Sequence, residues 1–192
     1  MSGTYQSAIN ASKRIDKTKI NIVDGFSASV GLGLIVMEAA RLAKEGKNYE
    51  EISAVLPEII STSNVYLAVK DLSYVVKGGR LPGWVKKVAD ILHIRPVLTT
   101  KENGSMGAAG VLKGTHNLAK KMSTFALGKM DDDKIYNVLI GHSNVPEDGI
   151  KLVKLIQEGH NNIRSIHLLD IGCALGVHAG PGSLAVGLQS IS

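Results

Sequence analysis

The chain has 192 residues, enough for one large domain or two small ones with a sizeable buried core. Apolar residues make up 44% and charged residues 20%, and no apolar run reaches the roughly 18 residues of a bilayer span, so a membrane-spanning helix is excluded. The net charge of +5 suits an anionic partner, but five Tyr, two Phe and one Trp give little to stack on bases, which weighs against nucleic acid.

In chain order, Tyr5 to Arg14 reads as a short helix after an opening Ser-Gly-Thr turn. Lys19 to Val23 (KINIV) has the alternation of a buried strand ending at Asp24. The small residues GFSASVGLGL then lead into a helix over Ile35 to Lys44, closed by Gly46. Strand, small polar turn and helix form the unit of a parallel α/β sheet. A further helix follows over Asn48 to Ser61, with Asn48 as its N-cap and Glu50 and Glu51 in its first turn. Val65 to Val69 reads as a strand and opens a new unit. A short helix through Leu72, Val75 and Val76 ends at Gly78-Gly79. Pro82 to Leu92 is helical, and Arg95 to Thr100 with Met106 to Leu112 makes a β-hairpin about the Glu102-Asn103-Gly104 turn. Asn117 to Leu127 and Pro146 to Glu158 are helices, Ile135 to Gly141 and Ile163 to Leu169 strands, and Gly172 to Gly182 a glycine-rich return. The lone cysteine, Cys173, and the lack of a signal segment favour the cytoplasm.

Three stretches could carry chemistry. In Asp24-Gly25-Phe26-Ser27-Ala28-Ser29 two hydroxyls stand between a strand end and a helix start, where backbone N–H groups favour an anion. The same serines would equally serve as helix caps. Arg80, after Lys77-Gly78-Gly79 and before Trp84, suits a docking surface or an ordinary basic loop with Trp84 in the core. His178, inside Gly176 to Gly182, can meet a ligand or bond a carbonyl within its own turn; His142-Ser143 could face the same rim. There is no Gly-x-Ser-x-Gly elbow, and Gly107 to Gly114 (GAAGVLKG) lacks the Gly-Lys-Ser/Thr ending of a P-loop. Six histidines and one cysteine show no metal-ligand spacing. No cofactor, metal or catalytic residue is expected.

Several motifs together resemble the DegV family of bacterial lipid-binding proteins, which includes the fatty-acid-binding subunit of fatty acid kinase. They are SGTYQSA at Ser2 to Ala8, D-x-x-S-A-S-x-G-L-G at Asp24 to Gly33, EAARLAKEGKNYEEI at Glu38 to Ile52, and DLSYVVKGGRL at Asp71 to Leu81. IRPVLTTKENGSMGAAGVLKG at Ile94 to Gly114 and IGCALGVHAGPGSLAVG at Ile171 to Gly187 complete the set.

The resemblance implies two α/β domains. Residues 1–62 would be the remainder of an incomplete N-terminal lipid-binding domain. Residues 63–192 would form a C-terminal domain whose mixed sheet contains a hairpin near 95–112. Family members carry roughly 80 further residues before the Ser-Gly-Thr turn, about half of a small domain. A threonine partner in the head-group clamp would lie there, so half of the clamp is expected to be missing. The resemblance further implies a non-enzymatic protein that holds a long-chain fatty acid and presents its carboxylate to a kinase subunit. Ser29 would be the main carboxylate donor with Ser27 beside it, while Arg80 and His178 would lie at the ligand opening where the kinase docks. Lys77, Arg80, Lys86 and Lys87 would give that surface its basic character. An exposed sheet edge would leave the chain open to homodimerisation. The alternatives are a small-molecule-binding subunit similar to dihydroxyacetone kinases and a fragment without function.

Overall fold

In a computed structural model, the structure describes residues 3–15, 20–114 and 116–191. In chain order the elements are α1 (Gly3–Ser12), α2 (Ser29–Lys44), α3 (Tyr49–Thr62), β1 (Ser63–Ala68), α4 (Leu72–Lys77), α5 (Gly83–Ile91) and β2 (Ile94–Thr100). Then come β3 (Met106–Lys113), α6 (Leu118–Leu127), β4 (Ile135–His142), α7 (Pro146–Gly159), β5 (Ile163–Asp170), α8 (Cys173–Ala179) and β6 (Leu184–Ile191). The strands form one mixed sheet in the order β3-β2-β1-β6-β4-β5. Among the described residues only β4 and β5 pair in parallel; the other ladders are antiparallel.

Two helical layers cover the sheet. On one face, Ala119, Met122 and Ala126 of α6 and Leu152 and Ile156 of α7 bury Val138, Ile140, Val186 and Leu188. On the other, α2 lies across β1, β6 and β4 through Val30 and Leu34, which pack on Val65, Leu139 and Ala185. That face continues through Leu67 to a cluster of Val69, Leu72, Val75, Ala89, Leu98 and Ala179, roofed by α4, α5 and α8.

The fit of α2 is a match of spacing. Residues four apart on a helix are separated by about 6 Å, and residues two apart on a strand by nearly the same distance. Val30, Leu34 and Glu38 therefore stand over three successive ladder rows: Leu67-Ala185-Gly141, Val65-Gly187-Leu139 and Ser63-Gln189-Asn137. Glycine makes the approach close enough. A Cβ on Gly187 would stand 2.9 Å from Leu34 Cδ1 and 3.0 Å from the Val30 carbonyl oxygen, and one on Gly33 would stand 2.7 Å from Leu139 Cδ2.

The third row is polar and fully occupied. Gln189 donates to Ser63 Oγ (2.9 Å) and accepts from Asn137 (2.9 Å), whose Oδ1 accepts from Arg164 Nε (3.0 Å) and Ser165 Oγ (2.7 Å). Glu38 closes the network, accepting from Arg41 at 2.8 Å and Arg164 at 2.5 Å. Burial alone raises the Glu38 pKa, but hydrogen bonds and charge from Arg41 and Arg164 outweigh it and hold the carboxyl below its ordinary value.

Four readings of the sequence change. Ile20 to Val23 is not a strand, and Lys19 lies outside the described residues. Among the described residues the segment pairs with no strand of the sheet, and alternation without a ladder partner does not make a strand. The second helix starts at Ser29, not Ile35, so Gly31 and Gly33 lie inside it and serve the close approach. The glycine-rich return contains α8, and the strand after it, β6, sits at the centre of the sheet. The remaining elements stand within a few residues of expectation, including the hairpin and the Asn48 cap, where Glu51 bonds back to complete a capping box.

Gly187→Val should overpack the α2 contact and lower stability by about 1–3 kcal/mol in urea unfolding, because backbone stands against the new side chain. Gly172→Ala, with open space around it, should change stability little. Glu38→Gln should cost about 2 kcal/mol at pH 7. The lowered pKa makes that contribution fully present above 4.5 and lost as pH falls through the folded value. Unfolding curves of the two proteins should therefore draw together as pH falls below 4.5, the difference vanishing once the folded-state carboxyl is protonated.

Candidate functional site

The segment before α2 is built from local backbone constraints. The Asp24 carboxylate accepts from the Phe26 N–H at 2.9 Å, forming an Asx turn. Phe26 and Ser29 both have positive φ, 46° and 53°, conformations that side-chain-bearing residues adopt at a cost. The residue at the N-cap is Ala28, and among the described residues no side chain caps the helix. Neither serine is therefore a cap, and α2 enters with its first N–H groups free of side-chain partners. Ser27 Oγ is buried without a hydrogen-bond partner among the described residues, lying against Gly31, where a Cβ would stand 2.4 Å from it. Ser29 is half-buried at the first position of the helix.

The spacing match places this turn. Because α2 runs antiparallel to β1 and β4, its start lies at their carboxyl ends, where Gly141 admits Val30 and Ile171. Ile171 leads into α8, and β1 leads into α4, so His178 and Gly78 to Arg80 stand at the same end and on the same face of the sheet.

Helices α4 and α8 meet through glycine. A Cβ on Gly78 would come within 2.3 Å of His178 Nδ1, and one on Gly180 within 2.5 Å of the Tyr74 ring. His178 Nδ1 is buried and, like Ser27 Oγ, has no hydrogen-bond partner among the described residues. Arg80 is exposed and donates from Nη1 to the Gly78 carbonyl at 2.6 Å. The structure thus joins Arg80 and His178 across one helix pair.

Trp84 is 65% exposed, not tucked into the core, and with Val88 and Ile91 it makes an exposed stripe on α5. Among the basic residues nearby, Lys86 is engaged by Asp90 one turn on. His142 does not share the rim. It is buried on the opposite face, its ring against Gly149 of α7 and Nδ1 3.3 Å from Asp170 Oδ1.

What sequence reasoning missed is apolar. Phe26, Leu32 and Val36 are exposed beside the serines, and Val36, at 59%, stands one turn beyond Leu32. The four-residue spacing of Leu32 and Val36 on a second side of α2 was the available signal. Two cavities lie elsewhere. One of about 180 Å³ sits between α2, α3 and the end of β6, and one of about 550 Å³ between β3 and α6. Among the described residues no cluster of three or more His, Cys, Asp or Glu could hold a metal ion, and no helix is long and apolar enough to cross a membrane.

Gly78→Ala should displace the His178 ring. Imidazole NMR should show the His178 resonances shifting while those of His167, remote on β5, stay in place.

Residues 1–190 match the profile of a family described as "Uncharacterised protein, DegV family". A DegV domain-containing protein of Clostridium perfringens is 31% identical over 98% of this chain, and one of Clostridium acetobutylicum is 30% identical over 97%. The chain spans 66% of the length of each. A DegV family protein of Thermus thermophilus, whose structure is described as showing fatty acid binding, superposes with a TM-score of 0.86 at 25% identity, covering 99% of this chain and 67% of that one. A stearic-acid-binding protein of Eubacterium ventriosum superposes at 0.84 with 23% identity over 98% of this chain and 67% of that one, a likeness of fold.

Proposed function

The chain belongs to the DegV family, and from that premise we propose that it binds a long-chain fatty acid and presents the carboxylate to a kinase subunit for acyl-phosphate formation. The observation that carries the reading is the buried, unpartnered Ser27 hydroxyl at the uncapped start of a 16-residue helix, beside exposed apolar side chains. A carboxylate there accepts from the Ser29 and Ser27 hydroxyls, and the helix N-terminus favours its charge. The tail lies along Phe26, Leu32 and Val36. Each methylene removed from water contributes about 0.8 kcal/mol, so a C16 tail supplies on the order of 10 kcal/mol before ordering costs. Affinity comes from the tail, and orientation from the hydroxyls.

In this reading residues 1–62 contribute the lipid-binding part and residues 63–192 the partner-facing part. Arg80 and His178 flank the ligand opening, and the Trp84-Val88-Ile91 stripe with Lys77 and Lys87 offers the kinase an apolar and basic surface. The chemistry of phosphoryl transfer belongs to the kinase. The reading places the protein in the bacterial cytoplasm, where exposed Cys173 stays reduced. The outer edges of β3 and β5 are the strands through which two copies would pair.

Native mass spectrometry of gently purified protein should show a bound C14 to C18 species that denaturing extraction releases as free fatty acid. Ser27→Ala should weaken palmitate binding roughly 10-fold, the scale of one hydrogen bond to a charged group. Protein that neither carries nor takes up fatty acid would overturn the reading. Arg80→Glu should reduce acyl-phosphate formation with the kinase while leaving palmitate affinity within about twofold, since a rim charge acts on partner encounter.

A further inference from the structure

The tip of the β2–β3 hairpin belongs neither to the serine turn nor to the partner-facing surface, and its shape comes from its own bonds. Lys101 N–H donates to the Ser105 carbonyl at 2.8 Å, and Gly104 N–H to the Lys101 carbonyl at 2.8 Å. Asn103 Oδ1 accepts from Ser105 N–H at 3.0 Å and from Ser105 Oγ at 2.7 Å. Gly104 stands at φ +73°, in the left-handed region.

This tip touches the serine turn. A Cβ on Gly104 would stand 3.4 Å from Phe26 Cδ1 and 3.7 Å from Phe26 Cα, so both the ring and the backbone of Phe26 lie against it. The residues on either side of Phe26 touch α2 instead. A Cβ on Gly25 would stand 3.0 Å from Leu32 Cδ1, and one on Gly31 would stand 2.4 Å from Ser27 Oγ. The segment from Gly25 to Ser27 is therefore held between the helix and the hairpin tip, with Phe26 as its contact to the tip. Among the described residues no hydrogen bond joins the tip to this segment, so the contact is one of shape.

Shape matters here because Phe26 is strained. A φ of 46° persists only where the surroundings over-determine it. The Asp24 carboxylate holds the Phe26 N–H, and the bare backbone of Gly104 leaves room for the ring. We propose that Gly104 is a positioning residue for the carboxylate clamp, acting through Phe26 to hold the Ser27 hydroxyl in place against Gly31. This role, which rests on the fatty-acid reading, adds the hairpin to a clamp otherwise drawn from the segment before α2. A side chain longer than a methyl group at position 104 crowds the ring. Phe26 then moves, and Ser27, its neighbour in the chain, moves with it.

The test combines Gly104→Asn with Phe26→Ala, singly and together, in the full chain. Asparagine tolerates left-handed backbone, so it keeps the turn while adding bulk at the contact. In the free protein Gly104→Asn should shift the Ser27 and Ser29 amide resonances, and it should weaken palmitate binding about fivefold. The NMR signal of the bound palmitate carboxyl carbon should move in Gly104→Asn and in Ser27→Ala, which a change confined to the hairpin would not produce. With Phe26→Ala already present there is no ring to displace. Adding Gly104→Asn should then leave both amides in place and change affinity less than about twofold. Loss of affinity by the same factor in both backgrounds would overturn the proposal, as would a Gly104→Asn protein with the parent's palmitate affinity. A parent chain that takes up no palmitate would sink the fatty-acid reading alone. The amides of the free proteins would then decide the positioning role, upheld if Gly104→Asn shifts Ser27 and Ser29 only where Phe26 is present and overturned otherwise.

Discussion

The carboxyl end of the sheet depends on one match of spacing, the stripe Val30-Leu34-Glu38 over three rows of the ladder. Two rows are bare or apolar and let α2 sink to the backbone, because Gly187, Gly33 and Gly141 carry no side chain. The third is polar and closes on Glu38 through Asn137, Gln189 and Arg164. The helix is therefore held by hydrogen bonds and charge at its middle and by close packing at its start. Close packing tolerates little displacement, and it fixes the turn that carries Ser27 and Ser29 relative to β4 and β6.

That arrangement divides the work along one helix. Every polar group in the Glu38 row finds a partner, so this region contributes stability and register. At the other end Ala28 caps nothing, Phe26 and Ser29 adopt left-handed backbone, and the Ser27 hydroxyl is buried alone. Unmet polarity and backbone strain coincide at this turn, and the well-satisfied network farther along the same helix carries the cost. The same pattern recurs at α8, where Gly78 makes room for a histidine whose Nδ1 is buried without a partner.

Much of this was legible in the residues, but unevenly. The hairpin announced itself through Asn103-Gly104, and the third helix through Asn48 and Glu51, because turns and caps are local chemistry. Strand β6 was not legible. LAVGLQSI has a glycine at its centre and follows a glycine-rich stretch, yet it is a central, largely buried strand, and only α2 explains why Gly187 belongs there. KINIV misled for the converse reason: its alternation is real, but a strand needs a ladder partner that composition cannot supply. At the site, the serines, Arg80 and His178 stood out as residue types. Their common position at one end of the sheet follows from topology. That Ser27 and Ser29 are not caps could be read only from the backbone around Ala28.

Amide hydrogen exchange along α2, with and without palmitate, tests this account most directly. Ligand at the serine turn should raise protection over the first turns of α2, Val30 to Leu34, while the turn around Glu38, already pinned by its network, changes little. Protection that rises equally along the whole helix, or not at all, would contradict the division between a pinned middle and an open, ligand-completed start.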